Sequence, residues 1–125
     1  MAVYLVLLLC ALGIAAMVYR YDMYDREPLL LLLAAVACGV ACFWLAGSVE
    51  DHLLENYLTS SIPMRAAVAG VVEELGKVLL VLLVAVSCRA FFNDPVDGLI
   101  YGAFIGLGFG VGESFYFVSV EGPAW

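Results

Sequence analysis

The sequence predicts an all-α membrane protein, a bundle of four transmembrane helices in a single domain over residues 1–125. Three observations lead there. Hydrophobic residues make up 66% of the 125 positions and charged residues 14%, with a mean hydropathy of +1.07. Soluble domains are about 45–50% apolar and about 25% charged. The apolar residues also come in runs of about 20, the length that crosses a hydrocarbon core, and turn or cap signals separate the runs. The balance of 12 acidic against 5 basic residues leaves no basic face for phosphates, which excludes nucleic acid as a partner. Scarcity of charge excludes a disordered chain. The surroundings implied are the lipid bilayer of a cell membrane, crossed several times.

The first span, about 2–19, carries no charge, and its start lacks the Lys or Arg of a signal peptide, so it reads as uncleaved. Pro28 opens the second, about 29–47, which is uncharged from Leu29 to Gly47. A polar stretch with Glu50, Asp51, His52 and Glu55 follows as a loop. Ser61 and Pro63 read as the cap and first turn of a third helix, about 63–88. Asn93, Asp94 and Pro95 form a turn and cap signal for a fourth, about 95–120. Arg20, Arg26 and Arg89 follow the first and third spans against Arg65 on the other side, so positive charge places those two loops in the cytoplasm and both termini outside. Cys10, Cys38 and Cys42 lie in apolar runs, where a thiol behaves as a small hydrophobe.

Ionisable groups inside a span are costly unless paired or facing a cavity, which makes them functional candidates. Glu73, Glu74 and Lys77 stand mid-way along the third helix, and at i,i+4 and i,i+3 one ammonium can serve both carboxylates. The bland alternative is a structural ion pair, but a doubled Glu over one Lys carries more negative charge than such a pair needs. Adjacent carboxylates repel in a low dielectric, and one protonated beside one ionised supplies a general acid and a general base. Glu73 lies about 22 Å from the end of its helix, and Glu113 about 27 Å from the start of the next, at 1.5 Å per residue. An antiparallel hairpin therefore sets Glu73, Glu74, Lys77 and Glu113 in one layer. Gly98, Gly102, Gly106 and Gly110 recur every fourth residue, a small-residue line that admits close helix approach. Glu113 falls within about 20° of it and is expected to point into the bundle.

Asp97 stands in the first turn of the fourth helix, where the helix dipole favours an acid whatever its function. Tyr101, one turn on, is placed to bond Asp97 or to sit at the interface. Asp22, Asp25 and Glu27 read as a solvated charge cluster, and His52 as a loop histidine away from the carboxylate layer.

These residues resemble the motifs of the PrsW-type intramembrane proteases, relatives of the CAAX-processing and bacteriocin-processing membrane proteases. Tyr21-Asp22 and Asp25-Arg26-Glu27-Pro28 resemble the family's opening motif, and Glu73-Glu74-Leu75-Gly76-Lys77 its E-E-x-x-K. Asp94-Pro95-Val96-Asp97-Gly98 with Tyr101 resembles its P-x-D-G-x-x-Y segment. Gly108-Phe109 followed by Glu113-Ser114 resembles its G-F-x-x-x-E-N stretch, with Ser114 where Asn is usual. The resemblance covers about residues 19–118 and implies peptide-bond hydrolysis in or near the membrane, with a membrane-anchored substrate such as an anti-sigma factor. Glu73 and Glu74 would activate water, Lys77 would hold their charge, and Glu113 and Asp97 would complete the site. A divalent metal is compatible with this set, and ligands drawn from Glu73, Glu74 and Glu113 alone suit Mg or Mn better than Zn. Proteases of this type continue into further spans, one of which supplies a histidine, so the chain reads as the N-terminal part of a longer protease.

Without the resemblance, two other readings use the same residues. A small proton- or cation-conducting protein would employ the carboxylate layer. A non-catalytic partner would bind single spans along the glycine line.

Overall fold

The structure is a computed structural model and describes residues 2–21, 27–56, 61–94 and 96–122. It is all-α: α1 (Ala2–Tyr21), α2 (Leu29–Asn56), α3 (Ile62–Ser87) and α4 (Asp97–Glu121), with no strand among the described residues. α1, α2 and α4 are long and apolar enough to cross a membrane. α3 has the length, 26 residues, but Arg65, Glu73, Glu74 and Lys77 interrupt its apolar character.

Two boundaries differ from the sequence expectation. α2 does not stop at Gly47 but runs on to Asn56, 28 residues in all, about 42 Å at 1.5 Å per residue against a hydrocarbon core of about 30 Å. Ser48 to Asn56 holds no Gly or Pro, so the apolar run ends while the helix continues. Glu50, Asp51 and His52 are therefore helical residues. α4 begins at Asp97, with Val96 at its N-cap, and Pro95 lies outside the described residues. Ser61 does occupy the cap position of α3, yet its side chain makes no capping bond.

α4 is the centre of the bundle. α2 packs along it in the same direction, with Leu32, Ala35, Ile100, Tyr101, Phe104 and Ile105 forming one buried cluster and Cys42, Ala46 and Phe109 a second. α3 runs the other way, Val81 lying by Gly102 and Lys77 by Phe109. α1 also runs opposite to α4: Tyr4 lies against Phe115, ring centroids 5.1 Å apart, and Val18 packs at the other end. Every consecutive pair is antiparallel, as short connections between spans require. Exposed Leu, Val and Ile side chains cover the outer faces of α1, α2 and α3.

The close approach of α2 to α4 does not use the expected glycine line. A Cβ on Gly108 would stand 2.0 Å from the Val36 carbonyl oxygen, and one on Gly39 2.1 Å from that of Ile105. At Gly106 and Gly110 a Cβ would meet nothing within 4 Å, and at Gly98 and Gly102 only ordinary contacts. The close-packed line is Phe104, Gly108 and Gly112, which keeps the fourth-residue period but lies two residues out of step, with Val36 set against Gly108 and Phe43 against Gly112.

At the N-terminal ends of α2 and α4 lies a buried polar knot. Glu27 is 5% exposed and Asp97 4%. The Tyr101 hydroxyl donates to Glu27 Oε2, and the Phe92 ring stacks on Tyr101 at 5.6 Å. Glu27 is thus a buried acceptor and not part of a solvated cluster; Asp22 and Asp25 lie outside the described residues. Tyr101→Phe removes a donor from a buried carboxylate and is expected to cost about 1–3 kcal/mol. The check is a lower midpoint of thermal unfolding in detergent, and an unchanged midpoint would count against the knot.

Candidate carboxylate site

α2, α3 and α4 meet at the C-terminal end of α2 around a cleft of about 420 Å³, lined among others by Trp44, Glu50, Asp51, Glu73, Glu113 and Tyr116. The hairpin register delivers Glu73 from α3 and Glu113 from α4 to the same depth, close enough for their charges to interact. Glu50 reaches the cleft from the extension of α2 and interacts with Glu73. All three are half-buried, so carboxylates from three helices face one small volume.

Glu73 and Glu74 are neighbours in sequence and diverge in space. Successive residues on a helix lie about 100° apart, so when Glu73 faces the cleft Glu74 turns outward, its side chain 71% exposed. Lys77 donates to Glu74 Oε1 at 2.8 Å, and its ammonium lies 4.2 Å from the Phe109 ring centroid. Phe109 is buried, so this cation–π contact pins the Glu74–Lys77 pair to α4. Lys77 bonds Glu74 and reaches Glu73 only through its field.

Asp97 is not brought to this cleft. It lies roughly 24 Å along α4 from Glu113, at 1.5 Å per residue. Its Oδ2 accepts the backbone N–H groups of Asn93 at 2.8 Å and Asp94 at 2.7 Å, and Asp94 Oδ1 accepts that of Val96 at 3.3 Å. Those bonds close the α3–α4 turn and thereby fix the register that matches Glu73 to Glu113. Tyr101 bonds Glu27 instead of Asp97. His52 is exposed on α2 and does not line the cleft.

Glu50 is the residue that sequence reasoning passed over. The signal was present: Leu32, Ala35, Gly39, Cys42 and Ala46 are spaced by three or four along the buried face of α2, and Glu50 is the next step.

A metal needs several donors around one point. Among the described residues no group of three or more His, Cys, Asp or Glu side chains is close enough to hold one. Glu50, Glu73 and Glu113 share the cleft without converging, so these residues by themselves do not fit a metal centre. The cysteines are all free thiols.

Comparison with known proteins gives a consistent picture. The description "PrsW family intramembrane metalloprotease" matches residues 27–124. Protease PrsW of Bacillus subtilis (strain 168) is 31% identical over 113 residues, which cover 88% of this chain and 51% of that protein. Protease PrsW of Clostridioides difficile (strain 630) is 35% identical over 109 residues, 80% of this chain and 43% of that protein. The chain thus spans about half the length of the curated relatives it matches. No solved structure matches it.

Proposed function

The chain belongs to the PrsW family of intramembrane metalloproteases, and from that premise we propose that its cleft hydrolyses a peptide bond of a membrane-anchored regulatory protein such as an anti-sigma factor. The observation that carries the proposal is the placement of Glu73 and Glu113, from two antiparallel helices, in one cleft at the end of α2.

One carboxylate in its ionised form takes a proton from water, and the hydroxide so formed adds to the scissile carbonyl carbon. The other, protonated, delivers its proton to the departing amine as the C–N bond breaks. We assign the first role to Glu73, in keeping with the resemblance of its Glu-Glu-x-x-Lys segment to the family motif, and the second to Glu113, which lines the same cleft from α4. Glu74 and Lys77 act by position: their pair, seated on Phe109, holds the helix face that aims Glu73 at Glu113. Asp97 also acts by position, through the turn.

The conducting alternative has less support. Between the cleft and Tyr101 the buried side chains of α4 are Phe109, Ile105 and Phe104, an apolar stretch that separates the carboxylates from the polar groups Tyr101, Glu27 and Asp97 at the other end.

The test is cleavage of a co-expressed membrane-anchored anti-sigma factor by the chain and by Glu113→Gln. The variant is expected to lose at least about 100-fold in product formation, the usual scale for a removed general acid, while the protein still accumulates in the membrane. Undiminished cleavage by that variant would overturn the proposed role.

A further inference from the structure

The cleft that holds Glu73 and Glu113 is more than two carboxylates wide. Glu50 and Asp51 line it from α2, and the cation nearest to it, Lys77, is committed to Glu74 and the face of Phe109. Four acidic side chains therefore line one volume, with no Lys or Arg among the described residues that line it. Two aromatic walls complete the cleft. Trp44 and Tyr116 stand perpendicular to each other at 6.0 Å between centroids, and Phe43 backs Tyr116 at 5.8 Å. Trp44 is 59% exposed and Tyr116 41%, so each still offers ring surface to a guest. The Ser48 hydroxyl, also in the lining, donates back to the Trp44 carbonyl at 3.0 Å.

Carboxylates beside open aromatic faces are complementary to an organic cation. A guanidinium or ammonium is attracted to a ring within about 6 Å of its centroid, and a guanidinium, weakly hydrated and planar, also pairs with carboxylates through its fork of N–H donors. A hydrated divalent ion uses oxygen donors alone and gains little from the rings, and no three donors here converge on a point. The cleft lies where the apolar run of α2 gives out at Gly47. Basic residues that flank a membrane span stand at that level of the bilayer.

We infer that the cleft selects its substrate by a lysine or arginine beside the substrate's membrane span, held by Glu50 and Asp51 against the rings of Trp44 and Tyr116. The inference rests on the cleft being the peptide-handling site described above. It adds that cleavage sites lie close to a basic residue at the membrane boundary, and that Glu50 and Asp51 set specificity without taking part in the bond-breaking step.

The measurement is binding, so it stands apart from catalysis. The chain carries two tryptophans, and in a Trp125→Phe background Trp44 is the sole reporter. That protein, in nanodiscs, is titrated with two single-span peptides that differ only by Arg or Gln next to the apolar run, and Trp44 fluorescence is read. The arginine peptide is expected to bind at least 10-fold tighter. Glu50→Gln with Asp51→Asn should bring the two peptides within 2-fold of each other by weakening the arginine peptide. Equal affinity of the two peptides, a preference that survives the double substitution, or a fluorescence response to Mn2+ alone with no peptide preference would each overturn the inference. A preference found in a chain that cleaves nothing would sustain the recognition and count against the hydrolytic role. Cleavage without the preference would do the reverse.

Discussion

Gly108→Ala is expected to destabilise the protein by about 3 kcal/mol or more, the upper part of the overpacking range, although it adds one methyl group. The added carbon would stand 2.0 Å from the Val36 carbonyl oxygen and 2.8 Å from its carbonyl carbon. Both are backbone atoms of a helix and cannot rotate away, so α2 and α4 must separate. That separation would loosen Leu32, Ala35, Phe104 and Ile105 together. Gly39→Ala meets the Ile105 carbonyl oxygen at 2.1 Å and should cost a similar amount. Gly106→Ala, where a Cβ meets nothing within 4 Å, is the control. It should stay within about 1 kcal/mol of the parent, on the stabilising side because alanine favours helix over glycine. The reading is the midpoint of chemical unfolding in detergent together with membrane abundance. If Gly106→Ala proved as damaging as Gly108→Ala, the packing line described for α4 would be wrong.

Glu73→Gln should abolish cleavage while Glu74→Gln retains a measurable part of it, although the two residues adjoin and either change removes one negative charge. Removal of a general base costs about 10²- to 10⁴-fold, and Glu73 is the member of the pair that faces Glu113 across the cleft. Glu74 turns away, and what it contributes is an exposed bond to Lys77 at 2.8 Å. An exposed i,i+3 pair is worth about 0.2–0.5 kcal/mol, and Lys77 keeps its seat on Phe109 without it. Glu74→Gln should therefore lower activity by less than about 10-fold and leave stability nearly unchanged. Rates of product formation at matched membrane abundance decide the matter. Equal, complete loss in both variants would mean that Glu74 takes part directly and that the α3 face is assigned wrongly.

The helices themselves were legible in the sequence, because apolar runs, Pro63 and the turn after Cys88 are local signals. The common depth of Glu73 and Glu113 was legible for the same reason, since counting residues along an antiparallel hairpin needs no knowledge of side-chain packing. Other features depend on the partner surface. Gly108 does its work only because the Val36 backbone lies opposite, and a fourth-residue period read on one helix cannot choose between Gly106 and Gly108. Glu50 was hidden by treating the end of hydrophobicity as the end of the helix. Glu27 looked like a loop carboxylate because its burial comes from Tyr101, far along the chain. Asp97 looked like a member of the site because it shares a motif with Tyr101, whereas its carboxylate is spent on two backbone N–H groups in the turn.

α3 contains no buried residue, while α2 and α4 are locked backbone to backbone. The two carboxylates of the cleft are therefore mounted on supports of unequal stiffness. Glu113 rides on the clamped pair and serves as a fixed anvil. Glu73 rides on a helix without that backbone lock, seated on its neighbours through side chains, as where Gly76 meets the Cys42 thiol. If the cleft takes a peptide as proposed, a chain that wedges in beside α3 would move Glu73 and leave Glu113 in place, and the gap between the two carboxylates would be set by what enters it.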